Sequence, residues 1–83
     1  MQWYVYLLQC ADGTLYCGAT NDLERRMRCH GRGEVRYTRG RLPAEMLWAE
    51  AAGEKGEALR REWRVKRLPR ADKLILCGLA SAR

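Results

Sequence analysis

Apolar and polar positions alternate in short blocks and divide the chain into six elements. Gln2–Gln9 is rich in aromatic and β-branched residues and predicts a strand. Tyr4, Tyr6 and Leu8 fall on one face of it and Trp3, Val5 and Leu7 on the other, so both faces are apolar. That pattern places the strand at the centre of a sheet covered on both sides. Asp12-Gly13 is a turn signal, and Thr14–Gly18 completes a β-hairpin. Thr20-Asn21-Asp22 opens a helix, with Asn21 and Glu24 spaced as a capping box. Its stripe is Leu23, Met27 and His30, with Arg26 on the edge, and Gly31 supplies a left-handed end. A basic loop over residues 31–43 leads to a short third strand around Met46–Ala49. Gly53–Gly56 is a turn or helix start. A helix over Glu57–Leu68 is stopped by Pro69, and a weaker helix covers Ala71–Ala80.

In the helix over 57–68, Ala58, Leu59, Trp63 and Val65 define the expected inward arc. Glu62 falls inside it, and a carboxylate on a buried face costs several kcal/mol, on the order of 2–7, unless a positive group meets it. The expected class is therefore α+β: a three-stranded antiparallel sheet flanked by about three helices, in one domain over 1–80 with a short tail at 81–83. The 83 residues leave no room for a second domain.

Charge narrows the partners. The net charge is +6, carried by thirteen Arg and three Lys against ten acids. Arginine's planar fork pairs with phosphate oxygens, so the bias points to a polyanion. Seven arginines and one acid, Glu34, lie between Arg25 and Arg41. Arg25, Arg28, Arg32, Arg36, Arg39 and Arg41, with Tyr37 as a stacking ring among them, are the candidate nucleic-acid contacts. Cys10, Cys17, Cys29 and Cys77 show no zinc spacing. The apolar start is too short for a signal peptide and no run is long enough to span a membrane. The chain therefore reads as a cytoplasmic protein with reduced, mostly buried thiols.

Five residues carry candidate chemistry. Tyr6 and Tyr16 lie on paired strands, Arg26 and His30 on the following helix, and Glu62 faces inward from a later one. Phosphodiester hydrolysis calls for these types. A divalent cation, Mg²⁺ or Mn²⁺, polarises a phosphate oxygen and prefers oxygen ligands, which makes Glu62 the candidate metal ligand. Arg26 suits the charge that develops on phosphorus. A tyrosine beside a cation can help to orient or deprotonate water.

Tyr4-Val5-Tyr6, a ten-residue gap and Tyr16-Cys17-Gly18 resemble the paired motifs of the GIY-YIG nuclease superfamily. The run from Gly18 to His30 resembles its helix, and the segments 36–43 and 58–68 resemble small stand-alone bacterial members. The resemblance covers residues 2–76. It implies a metal-dependent endonuclease acting on DNA, structure-selective and with a role in repair or recombination, with RNA as the alternative polyanion. It assigns Tyr6 to water activation or its support, Tyr16 to the scissile phosphate and the water network, Arg26 to the phosphate in the transition state, His30 to orienting a tyrosine or the phosphate, and Glu62 to the metal. The chain lacks the late asparagine of many members, since Asn21 is its one Asn. Two rival readings follow: a domain that holds nucleic acid without cutting it, and a subunit of a larger assembly anchored through Trp3 or Trp48. A domain this small is expected to bind weakly, to select by nucleic-acid structure or to depend on a protein partner for specificity.

Overall fold

The computed structural model describes residues 1–80, so the expected tail at 81–83 lies outside the described residues. The elements are β1 (Trp3–Gln9), β2 (Leu15–Thr20), α1 (Leu23–Gly31), β3 (Glu45–Gly53), α2 (Lys55–Lys66) and α3 (Arg70–Leu76). The sheet has the order β2-β1-β3, with both pairings antiparallel. β1 is thus the central strand, as its two apolar faces require. Val5, Tyr6, Leu7 and Leu8 are all fully buried. No described helix is long and apolar enough to cross a membrane.

The two faces of β1 serve different purposes. Val5 and Leu7 pack with Cys17, Ala58 and Val65, under Trp3, Trp48, Leu76 and Cys77. This is the hydrophobic core proper, with α2 as its lid. The other face carries Tyr6 and Leu8. Pairing sets Tyr6 opposite Gly18 and Leu8 opposite Tyr16, so the two tyrosines share this face on a diagonal.

Local chemistry fixes the connections. The Asp12 carboxylate accepts from the Thr14 amide (3.0 Å) while Gly13 takes φ 84°, which closes the hairpin turn. The turn is held by the carbonyl of Arg41, which accepts from the Ala11 amide (2.8 Å), and by Arg70, which donates to the Gly13 carbonyl (2.8 Å).

Several boundaries differ from the expected ones. Asp22, not Asn21, caps α1, accepting from the Arg25 amide (3.0 Å). The capping box occurs instead at α2, where Glu54 and Glu57 satisfy each other's amides. Gly31 stays inside α1; the left-handed glycine is Gly33, φ 75°. The third strand runs much longer than expected, because β1 offers a full-length edge to pair with, and α3 stops at Leu76.

The largest correction concerns α2. Ala58 and Val65 are buried, but Leu59 is 44% and Trp63 59% exposed. At about 100° per residue, Glu62 and Val65 fall within about 40° of Ala58, whereas Leu59 and Trp63 lie about 100–140° away. Their apolar character suggested burial, but their angular position denies it. Trp63 is instead covered by Arg67, whose guanidinium carbon sits 4.4 Å from the ring centre. Trp3 and Trp48, expected as exposed anchors, are partly buried against the core.

Gly18 is the tightest point of the fold. A Cβ there would come within 2.6 Å of Cζ of the Tyr6 ring. The ring is fully buried and cannot swing away. Gly18→Ala is expected to lower stability by about 1–3 kcal/mol through overpacking, read as a drop in the midpoint of chemical denaturation. An unchanged midpoint would mean that the Tyr6 ring has room to move.

Candidate active site

The face of β1 opposite the hydrophobic core is closed by α1 and the basic loop, and polar side chains meet there. Tyr6 and His30 are both fully buried, and the Tyr6 hydroxyl lies 3.0 Å from His30 Nε2. His30 Nδ1 lies 2.8 Å from Oγ1 of Thr38, a fully buried residue of the basic loop. Thr38 Oγ1 lies 3.5 Å from the Val35 carbonyl. Arg26 Nε donates to the Tyr6 hydroxyl at 3.4 Å.

Proton counting orders this chain. The Val35 carbonyl can only accept, so Thr38 donates to it and accepts from Nδ1–H of His30. Nε2 then carries a lone pair and accepts from the Tyr6 hydroxyl. Arg26 can only donate, and it fills an acceptor site on Tyr6. One hydrogen is available for each contact, and no buried side-chain polar atom among the described residues lacks a partner. The arrangement requires a neutral imidazole. Burial holds the His30 pKa below its ordinary value, and the charge of Arg26 pushes the same way.

Tyr6 is the opposite of an activated phenol. Burial pushes its pKa up to about 12, and the hydrogen bond from Arg26 only partly offsets this. The same bond raises the pKa of Arg26, which stays a cation. Nε is used on Tyr6, and the rest of the half-buried guanidinium faces Tyr16, whose hydroxyl also raises the Arg26 pKa.

Tyr16 is half-buried. Its ring centre lies 6.4 Å from that of Tyr6, 5.3 Å from His30 and 5.3 Å from Tyr37. Four of the five expected site residues thus meet on one face. Glu62 approaches from the helix on the other face. Its carboxylate pairs with Lys66 at 3.1 Å, with a side-chain exposure of 17%. Its charge is felt by Tyr6. Among the described residues it makes no hydrogen bond to Tyr6, Tyr16, Arg26 or His30, so the site straddles the β2 edge rather than filling one pocket.

The basic residues divide. Arg36, Tyr37, Arg39 and Arg41 line a concavity of about 470 Å³ with Asp12. Tyr37 is 47% exposed, and the Arg41 guanidinium carbon lies 4.6 Å from its ring centre. Arg25, Arg28 and Arg32 are exposed along α1 and its end. Arg28 borders an apolar hollow with Leu23, Met27 and Met46, and Arg32 is engaged by Glu34 at 2.6 Å. The structure does not bring these three to the tyrosines. Thr38 was missed from sequence because a buried threonine in a polar loop leaves no periodic trace. Of the four thiols, all free, Cys10 and Cys17 are buried and Cys29 and Cys77 partly so.

This geometry coincides with a family match. The model described as the GIY-YIG catalytic domain matches residues 2–74. The chain belongs to the GIY-YIG family. Its relatives include a UPF0213 protein of Nitratidesulfovibrio vulgaris, 56% identical over 73 residues, covering 87% of this chain. The chain spans 66% of that relative's length. The UPF0213 protein OB0043 of Oceanobacillus iheyensis is 49% identical over 90% of this chain and 88% of its own. The solution structure of the UPF0213 protein BH0048 from Bacillus halodurans superimposes with a TM-score of 0.60 at 42% identity, covering 99% of this chain and 88% of that one. This family member establishes the expected sheet-and-helix fold.

The sign of the His30 pKa shift gives a test. The folded value lies below the unfolded 6.5, so the unfolded chain binds more protons between the two. Stability from this group is complete above pH 6.5 and is lost as pH falls below it. Thermal melts from pH 7.5 to 5 are expected to show a falling Tm, with a shallower fall in His30→Gln. Equal slopes would place the acid sensitivity elsewhere.

Proposed function

We propose that the chain works as one catalytic domain over 1–80 and cuts phosphodiester bonds in DNA, with one divalent cation, Mg²⁺ or Mn²⁺, as cofactor. The observation that carries this reading is the convergence of Tyr16 and the terminal nitrogens of Arg26 beside a buried Tyr6–His30–Thr38 chain. Arg26, held by Tyr6 through Nε, offers two donors to the scissile phosphate and stabilises the charge that builds there. Tyr16, half-exposed, meets the phosphate and the attacking water. Tyr6 is fully enclosed, so its part is support: it positions Arg26 and passes hydrogen bonding on to neutral His30. The cation fits Glu62 as a single-carboxylate site completed by waters and phosphate oxygens, the mode hard divalent ions favour. When bound there it would polarise the phosphate and stabilise the leaving oxygen.

The concavity lined by Arg36, Arg39 and Arg41 is the reason to expect a polyanionic strand beside the site. A domain of this size has little surface for base readout, which favours DNA shape, such as branches or nicks, or a partner protein as the source of selectivity. A nucleic-acid-binding module without cleavage is the second reading. It draws on the Glu62 carboxylate, which Lys66 already meets.

Cleavage decides between them. Labelled flap, fork, four-way-junction and duplex DNA, with matched RNA duplexes, would be incubated with Mg²⁺, Mn²⁺ or EDTA. Metal-dependent cutting is expected, falling about 10²–10³-fold in Arg26→Ala, as for loss of a transition-state donor, and lost in Glu62→Gln. Intact strands in every lane, with the same substrates shifted on a gel, would select the binding module.

A further inference from the structure

A second basic feature borders Tyr16, and the scheme above gives its Lys73 no role. A cleft of about 220 Å³ is lined by Leu15, Tyr16, Cys17, Tyr37, Lys66 and Lys73. Its walls come from β2, the basic loop, α2 and α3, so the tertiary fold assembles it. That volume is below the roughly 300–1,000 Å³ of sites that enclose small molecules. The cleft is open, and its shape suits one unit of a longer chain. Its charged lining is entirely cationic. Lys66 is shared with Glu62, whereas Lys73 forms no salt bridge among the described residues. The Tyr37 ring, packed against Tyr16, forms an apolar wall beside them.

We infer that this cleft is a nucleotide subsite next to the scissile position, with Lys73 and Lys66 holding the neighbouring phosphate and Tyr37 and Leu15 lining its sugar and base. The inference rests on the reading of the Tyr16–Arg26 face as the cleavage site. It sets the path of the strand: across Arg26, past Tyr16, and over the β2 edge between α2 and α3. Lys73 is its main cation, because among the described residues its charge is not committed to a carboxylate.

The test is fluorescence anisotropy of a labelled ten-nucleotide single-stranded DNA, titrated in EDTA so that cleavage plays no part. Lys73→Ala is compared with Lys73→Arg and with Lys55→Ala, which removes the same charge near Trp3 on α2. Lys73→Ala is expected to weaken binding about fivefold and to lower the log–log salt slope by about 0.7, the loss of one phosphate contact on a single strand. Lys73→Arg is expected to retain both, and Lys55→Ala to change neither. Equal effects of Lys73→Ala and Lys55→Ala, or no binding by the unaltered chain, would overturn the subsite. Failure of the unaltered chain to cut DNA, with the Lys73-specific loss of binding still present, would sink the cleavage reading and leave the cleft as a nucleotide-binding site with no scissile position beside it. Normal cutting with Lys73→Ala binding unimpaired would sink the subsite alone.

Discussion

The arrangement of this domain depends on a buried hydroxyl. A phenol carried into the interior must find hydrogen-bond partners or lose a few kcal/mol, on the order of 1–3. Tyr6 sits at the middle of the central strand with no exposed surface, so its partners must come from other elements. It takes one bond from Arg26 and gives one to His30, both on α1. His30 in turn is tied to Thr38 in the basic loop. A sheet, a helix and an otherwise polar loop are thereby joined through one oxygen. The same ring forbids a side chain at Gly18, which ties the second strand to it as well.

This constraint gives the two faces of the sheet different organisations. Val5, Leu7, Ala58 and Val65 make an ordinary apolar core on one face. The opposite face has few purely apolar contacts and is organised by directional bonds. Such a network holds Arg26 in a fixed position, while Tyr16 is placed by ring packing against Tyr6, His30 and Tyr37. It also makes that face sensitive to acid, since burial holds the His30 pKa down. Charging His30 would put a second cation beside Arg26 and turn Nε2 from acceptor to donor, breaking the order of the chain at its centre.

Much of this was legible in the sequence. β1 declared itself central because both of its faces are apolar. The tyrosine spacing of the hairpin, with Arg26 and His30 on one helix face, foretold the four groups that meet. What escaped is instructive. Leu59 and Trp63 were read as core because large apolar residues normally are, yet the helix points them away. The stripe that does face inward is Ala58, Glu62 and Val65, and Glu62 stands on it as its helical position requires. Thr38 and Lys73 escaped for a different reason. Each gains its meaning from a neighbour distant in sequence, and periodicity along one element carries no information about contacts between elements.

Glu62 shows how the two faces are coupled. It stands on the buried stripe of α2, on the apolar side of the sheet, while Tyr6 and Tyr16 belong to the polar side. A carboxylate so placed is tolerated because Lys66, one turn further on, meets it at 3.1 Å. Lys66 therefore has two roles open to it. With Glu62 it neutralises a partly enclosed charge; turned towards the cleft beside Tyr16, it joins Lys73 as a cation for phosphate. A divalent cation at Glu62 would take over the first role and favour the second. Metal and strand would then reinforce each other's binding, since each relieves a demand on the same lysine, and linkage makes that coupling equal in both directions.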